Sequence, residues 1–237
     1  MTYFIGIASG KGGVGRTTIA LNLAHALHSF GRNVVLVDAH FSSPHIALSL
    51  GATKVPRTLH HALRKEINVK NAAYRHESGL HIIPGSILKE HQENIDHGKF
   101  KETLLDLLGT GEIIIIDMAA GGQEALEVIK SCDHLFVMAT PDLPSIAEAL
   151  KTVKKAKEMG VNILGIILNR VREDNKEMTI ENVETITGVK VVGIIHENED
   201  FREALKNSKC LTYSYPKSKG AKEIKQIAAK LIGEKYG

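Results

Sequence analysis

Cysteine is scarce in this sequence, and long apolar runs are absent from it. The 237 residues include two cysteines, Cys132 and Cys210, which lie far apart and form no C-x-x-C pair. This argues against a disulfide scaffold or a zinc ribbon and favours a reducing compartment. No apolar stretch reaches the roughly 18 residues of a membrane-spanning helix. A glycine-rich segment follows the first nine residues, which leaves no room for a signal peptide. We therefore expect a soluble, cytoplasmic protein.

Neither sign of charge dominates, and the many histidines form no obvious metal site. The formal net charge is +3, which is typical of an ordinary lysine-bearing surface, with weak non-specific attraction to DNA as the alternative. The closest pairs among the twelve histidines are His25/His28 and His60/His61. Neither pair has an acid or cysteine at metal-ligand spacing, so we expect surface or edge residues rather than ligands.

Short apolar runs alternate with helical patterns along the chain, with no internal repeat, low-complexity tract or linker. Continuous apolar strands indicate a sheet covered on both faces, and therefore a mainly parallel one. We predict one doubly wound α/β domain over residues 1–237. The predicted strands are 4–8, 34–37, 80–83, 113–116, 135–139, 163–168 and 191–195. The predicted helices are 17–30, 99–109, 123–131, 144–159, 199–207 and 218–233.

A glycine-rich loop joins the first predicted strand to the first predicted helix. Strand, glycine loop and helix are the context in which the pattern G-x-x-x-x-G-K-[ST] indicates phosphate binding. The glycines allow backbone N–H groups to surround phosphate oxygens, and the helix N-terminus adds its positive dipole end. The pattern holds except that its lysine is replaced by Arg16, and the run reads Gly10-Lys11-Gly12-Gly13-Val14-Gly15-Arg16-Thr17-Thr18.

Polar residues follow the predicted strands where a ligand of such a sheet would bind. Asp38 and His40 follow the second strand, Asp117 follows the run 113–116, and Asn169 and Arg170 follow 163–168. Thr17 is placed for its hydroxyl to bind Mg²⁺, and Asp117 is a candidate partner of that ion through water. Asp38 leaves its strand toward the same site and is a further metal candidate. The alternative for both aspartates is an ordinary turn residue.

Taken together, these segments resemble the MinD/ParA family of P-loop ATPases, whose Walker A motif is deviant. The resemblance spans nearly the whole chain and implies a P-loop fold with ATP or ADP and Mg²⁺ as cofactors. In that family the early lysine, here Lys11, reaches across an ATP-sandwiched homodimer to the partner's phosphates. The segments that carry the resemblance are Gly10–Gly15, Val35-Leu36-Val37-Asp38-Ala39, Ile115-Ile116-Asp117, Leu168-Asn169-Arg170-Val171 and Pro216-Lys217-Ser218-Lys219.

The resemblance also assigns roles to residues at the strand ends. It implies that Asn169 recognises adenine and that Arg170 beside it belongs to the nucleotide site. The segment holding Asp117 and Gly121 corresponds to a phosphate-sensing switch. Lys11, Asp38 and His40 occupy the positions associated with catalysis.

Two residues depart from the family pattern, and both departures concern turnover. The family normally has lysine where this chain has Arg16, and a guanidinium is a bulkier, planar cation. Arg16 could still bind phosphate in bidentate fashion, or it could crowd the loop. The family commonly has aspartate at the position of His40. A histidine there could act as a base when neutral or contact phosphate when charged, but we interpret it as a lost catalytic group. We therefore expect a nucleotide-dependent dimer that hydrolyses ATP slowly or not at all.

Three functions fit these features. The first is a MinD-like positioning switch with an unknown protein partner, as in cell division. The second is a ParA-type, DNA-associated partitioning ATPase, with lysines of helices 144–159 and 218–233 touching the phosphate backbone. The third is a non-hydrolysing nucleotide-binding scaffold. The apolar positions of the last helix have one-sided spacing typical of core packing, so we do not expect direct membrane association.

Overall fold

An eight-stranded sheet forms the centre of the computed structural model, which describes residues 1–93, 95–172, 174 and 177–236. The strand order is β3-β4-β2-β5-β1-β6-β7-β8, and every neighbouring pair is parallel except β3 and β4. The strands are β1 (Tyr3–Ala8), β2 (Val34–Ala39), β3 (Tyr74–Arg75), β4 (His81–Ile83), β5 (Ile113–Met118), β6 (His134–Ala139), β7 (Asn162–Val171) and β8 (Val191–His196).

Helices cover both faces of this sheet. They are α1 (Arg16–Ser29), α2 (Ile46–Ser49), α3 (Leu59–Leu63), α4 (Lys89–Gln92), α5 (Phe100–Leu105), α6 (Gly122–Ile129), α7 (Leu143–Glu158), α8 (Ile180–Thr187), α9 (Glu199–Lys206), α10 (Leu211–Ser214) and α11 (Lys219–Ile232). Two 3₁₀ turns, Val69–Ala72 and His97–Lys99, complete the elements. No helix within the described ranges is long and apolar enough to cross a membrane.

The central strands are buried on both sides because successive side chains point to opposite faces. Ile113 and Ile115 belong to the core that also contains α1 and α11, whereas Ile114 and Ile116 pack in the core beneath α5 and α6. Such strands show no polar alternation in the sequence. The predicted doubly wound, mainly parallel α/β fold is confirmed.

All seven predicted strands are present, and the differences lie in short elements. β3 was not predicted, since two residues at a sheet edge are too short for a periodic signal. Five helices of four to eight residues were also not predicted: α2, α3, α4, α8 and α10. The helix expected over 99–109 ends at Leu105 because tighter turns follow, in which Leu107 N–H bonds Leu104 O at 2.9 Å and Leu108 N–H bonds Leu105 O at 3.0 Å.

The expectation that both histidine pairs lie at the surface is wrong for two of the four residues. His25 and His60 are buried. His25 Nδ1 lies 2.9 Å from Thr212 Oγ1. His60 Nδ1 accepts the Ser86 N–H at 3.0 Å, and its Nε2 lies 2.8 Å from the Phe41 carbonyl oxygen. Burial is tolerated because each ring has polar partners.

Strand register brings two predicted site residues together at one edge of the sheet. β2 and β5 pair so that Asp38 lies opposite Asp117. β1 pairs with β5 on the other side, and the chain leaving β1 enters the glycine loop that leads to α1. The loop and both carboxylates therefore meet at the carboxyl ends of adjacent strands.

Candidate functional site

The glycine loop of residues 10–17 has the backbone shape that its glycines predict. Gly13 and Gly15 have φ values of 76° and 95°, which L side chains rarely adopt. A Cβ at Gly15 would lie 2.4 Å from Asn169 Nδ2, whereas Gly12 and Gly13 face open space. The loop is therefore fixed on its inner side and leaves its outer backbone accessible to a ligand.

Asn169 holds the loop from the end of β7. Its side-chain Nδ2 donates to the carbonyl oxygen of Val14 at 2.7 Å, and the residue is buried. This contact joins the glycine loop to a strand 155 residues away in the sequence. Asn169 thus shapes the loop directly, whereas adenine recognition by this residue stays a prediction.

Arg16 points into the protein. Its Nε donates to the carbonyl oxygen of Met118 at 2.9 Å, and one terminal nitrogen donates to Ser9 Oγ and, at 3.3 Å, to the Lys11 carbonyl oxygen. Burial lowers the pKa of the guanidinium, while the nearby Asp117 opposes that shift. Only 8% of the residue is exposed. The guanidinium therefore ties the glycine loop to the end of β5.

Thr17 and Asp117 form the centre of the candidate metal site. Thr17 Oγ1 donates to Asp117 Oδ2 at 2.6 Å, and the other carboxylate oxygen is buried without a hydrogen-bond partner among the described residues. Burial raises the pKa of Asp117 to about 6, despite the opposing effects of Thr17 and Arg16. An unpartnered buried oxygen beside a hydroxyl is a fitting position for a cation partner.

Asp38 adds a second buried carboxylate. Its Oδ2 accepts the Ile46 N–H at 2.9 Å, and its Oδ1 accepts the His40 N–H at 3.4 Å. Burial, together with the charge of Asp117, raises the pKa of Asp38 well above its ordinary value. A divalent cation stabilises the ionised form of two adjacent buried carboxyl groups, and hard oxygen donors suit Mg²⁺. The donor set therefore fits this ion.

A cleft of about 670 Å³ opens over the loop and these acids. His40 is half-buried at its wall, where burial lowers the pKa of its imidazole, and its ring centroid lies 5.8 Å from that of His45. The cleft is lined by loop glycines, by residues that follow β2 and β5, and by one residue from β7: Gly12, Gly13, Gly15, Arg16, Thr17, Thr18, His40, Ser42, His45, residues 119–124 and Arg170.

Lys11 lies at the outer side of the loop. Its Nζ forms an ion pair with Asp142 Oδ1 at 3.1 Å, and both side chains are more than two-fifths exposed. Asp142 also accepts the Ser145 N–H and so caps α7. The Lys11 ammonium is therefore held at the surface of this chain, away from the two buried acids.

The structure brings the predicted residues together around one loop, and it adds residues that the sequence did not indicate. Ser9 Oγ and the Met118 carbonyl oxygen accept hydrogen bonds from Arg16, and Asp142 accepts one from Lys11. Asp142 follows Thr140-Pro141 after β6. Its place directly after this strand end is the signal in the sequence that points to Asp142. Backbone carbonyl partners such as that of Met118 leave no signal in residue identity.

Comparison with known proteins identifies the family of this chain. A family model described as the CobQ/CobB/MinD/ParA nucleotide binding domain matches residues 5–211. The chain belongs to this family. An uncharacterised ATP-binding protein of Methanocaldococcus jannaschii is 39% identical over 237 residues, covering 100% of this chain and 90% of that relative. The predicted MinD/ParA resemblance is thereby confirmed.

Two solved structures of the same family have closely similar folds. One is the septum site-determining protein MinD of Pyrococcus horikoshii complexed with Mg-ADP, at 31% identity and a TM-score of 0.93, covering 98% of this chain and 96% of that one. The other is the cell division ATPase MinD of Pyrococcus furiosus, at 31% identity and a TM-score of 0.94, covering 98% and 99%. This MinD/ParA-type chain is thus a P-loop nucleotide-binding protein.

Proposed function

We propose that this chain binds Mg·ATP, forms a homodimer with ATP at the interface, and acts as a spatial switch for a protein partner, with slow hydrolysis. The constellation of Thr17, Asp117 and Asp38 beside an open glycine loop carries the nucleotide part of this proposal. The similar MinD of Pyrococcus horikoshii is complexed with Mg-ADP, which supports both cofactors. The positioning role is supported by the septum-site and cell-division names of the two MinD structures.

The metal-binding part assigns roles to three oxygen-bearing side chains. Thr17 would offer its hydroxyl to Mg²⁺, and Asp117 and Asp38 would stabilise it directly or through water. Bound Mg²⁺ supplies charge neutralisation at the phosphates. The hydroxyl of Thr17 donates a hydrogen bond to Asp117. The carboxylate therefore holds the hydroxyl in place at the base of the cleft.

The slow-hydrolysis part depends on Arg16 and His40. Phosphoryl transfer relies on positioning and on charge stabilisation, so a displaced cation can lower the rate about 100-fold. The guanidinium of Arg16 binds three acceptors of the protein itself, and His40 replaces the aspartate common in the family. Because burial lowers the pKa of His40, its imidazole is neutral near pH 7 and adds no charge to the cleft.

The alternative of a DNA-associated ParA-type ATPase has less support. Of the four lysines on α7, Lys151 bonds Glu148 at 2.6 Å and Lys155 bonds Glu158 at 3.0 Å. Such intrahelical pairs are typical of a solvated helix face. ATP-dependent DNA retardation that weakens with salt would favour this alternative over the switch.

The first prediction tests turnover directly. After incubation with Mg·ATP and removal of free nucleotide, extraction and chromatography should recover mainly intact ATP from the protein. A matched double variant, Arg16→Lys with His40→Asp, should release phosphate faster by at least about tenfold if these residues limit the chemistry. Thermal unfolding of the variant checks that it remains folded. Equal phosphate release by both proteins would contradict the slow-hydrolysis proposal.

A further inference from the structure

Arg170 is a non-glycine residue with a left-handed backbone at the edge of the nucleotide cleft. Its φ is 59°, and it lies near the end of β7, where the pairing with β8 shifts register between Asn169 and Val171. L residues with a side chain adopt this conformation at a cost, and strained residues of this kind are enriched at functional sites. Glycine would adopt the same backbone without strain. The arginine side chain is therefore the feature to explain.

The guanidinium of Arg170 is exposed and makes no hydrogen bond or ion pair within the part of the chain that the structure describes. Its electrostatic influence reaches Glu197, whose pKa it helps to lower. That carboxylate already accepts a hydrogen bond from Arg172 Nε, which is the main cause of the lowered pKa. Arg170 is thus not held by a carboxylate of its own, and its side chain is available to a ligand.

Arg170 lies where three clefts around the glycine loop meet. It lines the 670 Å³ cleft with Gly12, Gly13 and Thr17. It also borders an adjoining cleft of about 640 Å³ with Lys11 and the outer side of the loop. The third, of about 190 Å³, holds Asn169 and residues of α9. One side chain therefore borders both the loop and the region beside Asn169.

Among the described residues, the lysine and arginine side chains that line the 670 and 640 Å³ clefts are Arg16, Lys11, Arg170 and Arg172, and all but Arg170 are engaged by acceptors of the protein. Arg16 is bound to Ser9 and to two backbone carbonyl oxygens, and Lys11 is paired with Asp142. Building on the proposed function, we propose that Arg170 is the side-chain cation that binds the triphosphate of the nucleotide in its own chain. Arg16, by contrast, shapes the loop. A planar guanidinium suits this task because it can donate two parallel hydrogen bonds to phosphate oxygens.

The second prediction distinguishes phosphate binding by Arg170 from a purely structural role, because the two roles predict opposite changes in thermal stability. Arg170→Gly removes the cation and relieves the backbone strain, so the nucleotide-free variant should unfold at the same or a higher temperature. Its affinity for Mg·ATP should nevertheless fall by about tenfold or more, since a charge-assisted hydrogen bond is lost. Isothermal titration calorimetry and thermal unfolding measure the two effects. Arg170→Lys should retain part of the affinity.

Lys65→Gly is a matched control. Lys65 has a φ of 62°, and its side chain forms an exposed ion pair with Glu102 at 3.7 Å, on a helix end outside the three clefts. The Lys65→Gly variant should gain stability as Arg170→Gly does, and it should bind Mg·ATP with wild-type affinity. The affinity gap between wild type and Arg170→Gly should narrow as salt is added, because ions screen a contact with phosphate.

Several outcomes would overturn the assignment. Unchanged Mg·ATP affinity in Arg170→Gly would do so, as would an affinity loss that salt does not alter, which indicates a contact with the base. A loss that depends on protein concentration would place Arg170 at a contact between copies of the chain instead. A wild-type protein that fails to bind Mg·ATP would contradict the proposed function itself, and the two failures are therefore distinguishable.

Discussion

At the residue scale, the base of the cleft contains two carboxyl groups that are stable there only when protonated or paired with a cation. Asp38 and Asp117 are both fully buried and lie opposite each other on adjacent strands. Burial raises the pKa of each, and for Asp38 the neighbouring Asp117 adds to the shift. A group arranged in this way lowers the stability of the free protein and favours metal binding.

The third prediction follows from this arrangement. Asp117→Asn keeps the size of the side chain and removes one buried charge, so the nucleotide-free variant should unfold at a temperature at least about 3 °C higher at pH 8. Stabilisation by Mg·ATP should be largely lost, because the neutral amide attracts the cation weakly. Thermal unfolding with Mg·ATP and with EDTA measures both changes.

The stability that Asp117→Asn gains over the wild type should depend on pH. The pKa of Asp117 is raised to about 6, so folding favours its protonated form, and the free protein loses stability as the pH rises through that value. At pH 5 the wild-type group is mostly protonated, and the advantage of Asp117→Asn should shrink. An advantage of equal size at pH 5 and pH 8 would show that the ionisation of Asp117 is not its cause.

The sequence predicted where the site residues lie better than it predicted their hydrogen-bond partners. Asp117 and Thr17 could be placed from the sequence because each occupies a fixed offset from a strand or glycine loop. The inward direction of the Arg16 side chain could not be predicted from the sequence, because it depends on Ser9 and on the Met118 carbonyl oxygen, 102 residues away. A long flexible side chain near several acceptors has no unique direction until the fold supplies them.

At the element scale, the junction of α1 with α10 depends on a buried polar cluster. Asn22 Oδ1 accepts the Thr212 N–H at 2.8 Å, and Thr212 Oγ1 lies 2.9 Å from His25 Nδ1. Burial lowers the pKa of His25 to about 4, and His28, His76 and Lys225 add to the shift. The neutral imidazole is therefore part of the contact between these two helices.

The fourth prediction concerns acid stability. His25 has a pKa near 6.5 in the unfolded chain and about 4 in the folded chain. The free energy of unfolding therefore decreases as the pH falls between these two values. The loss amounts to at most roughly 3 kcal/mol. His25→Gln should flatten this part of the urea-unfolding profile, whereas His81→Gln, at an exposed strand position, should not. Parallel profiles for both variants would contradict the assignment.

Elements with a continuous apolar pattern were predictable, and those defined by tertiary contact were not. The isoleucine run of β5 indicates a doubly buried strand without further information. β3 and α10 contain two and four residues, too few for a period of their own. α10 is defined instead by its contact with α1, including the bonds from Thr212 to Asn22. Short elements of this kind follow from the fold rather than from local propensity.

At the scale of the whole molecule, the sheet order places the glycine loop centrally and Lys11 on the outer side of that loop. β1 lies between β5 and β6, so the loop that follows it is flanked by the Asp117 segment on one side and by Thr140–Asp142 on the other. Lys11 pairs with Asp142 on this exposed side. An exposed ion pair contributes little stability, so the lysine can be released at low cost.

The fifth prediction tests whether this lysine serves a second copy of the chain. With Mg·ATP the wild-type protein should form a dimer in size-exclusion chromatography with light scattering, and with Mg·ADP it should remain a monomer. Lys11→Ala should remain a monomer in both states, because the partner's phosphates then lack its ammonium group. Asp142→Asn frees Lys11 while keeping the α7 cap acceptor, so it should dimerise at lower protein concentration than the wild type. Identical masses in ATP and ADP, or a Lys11→Ala protein that dimerises normally, would rule out the ATP-bridged homodimer.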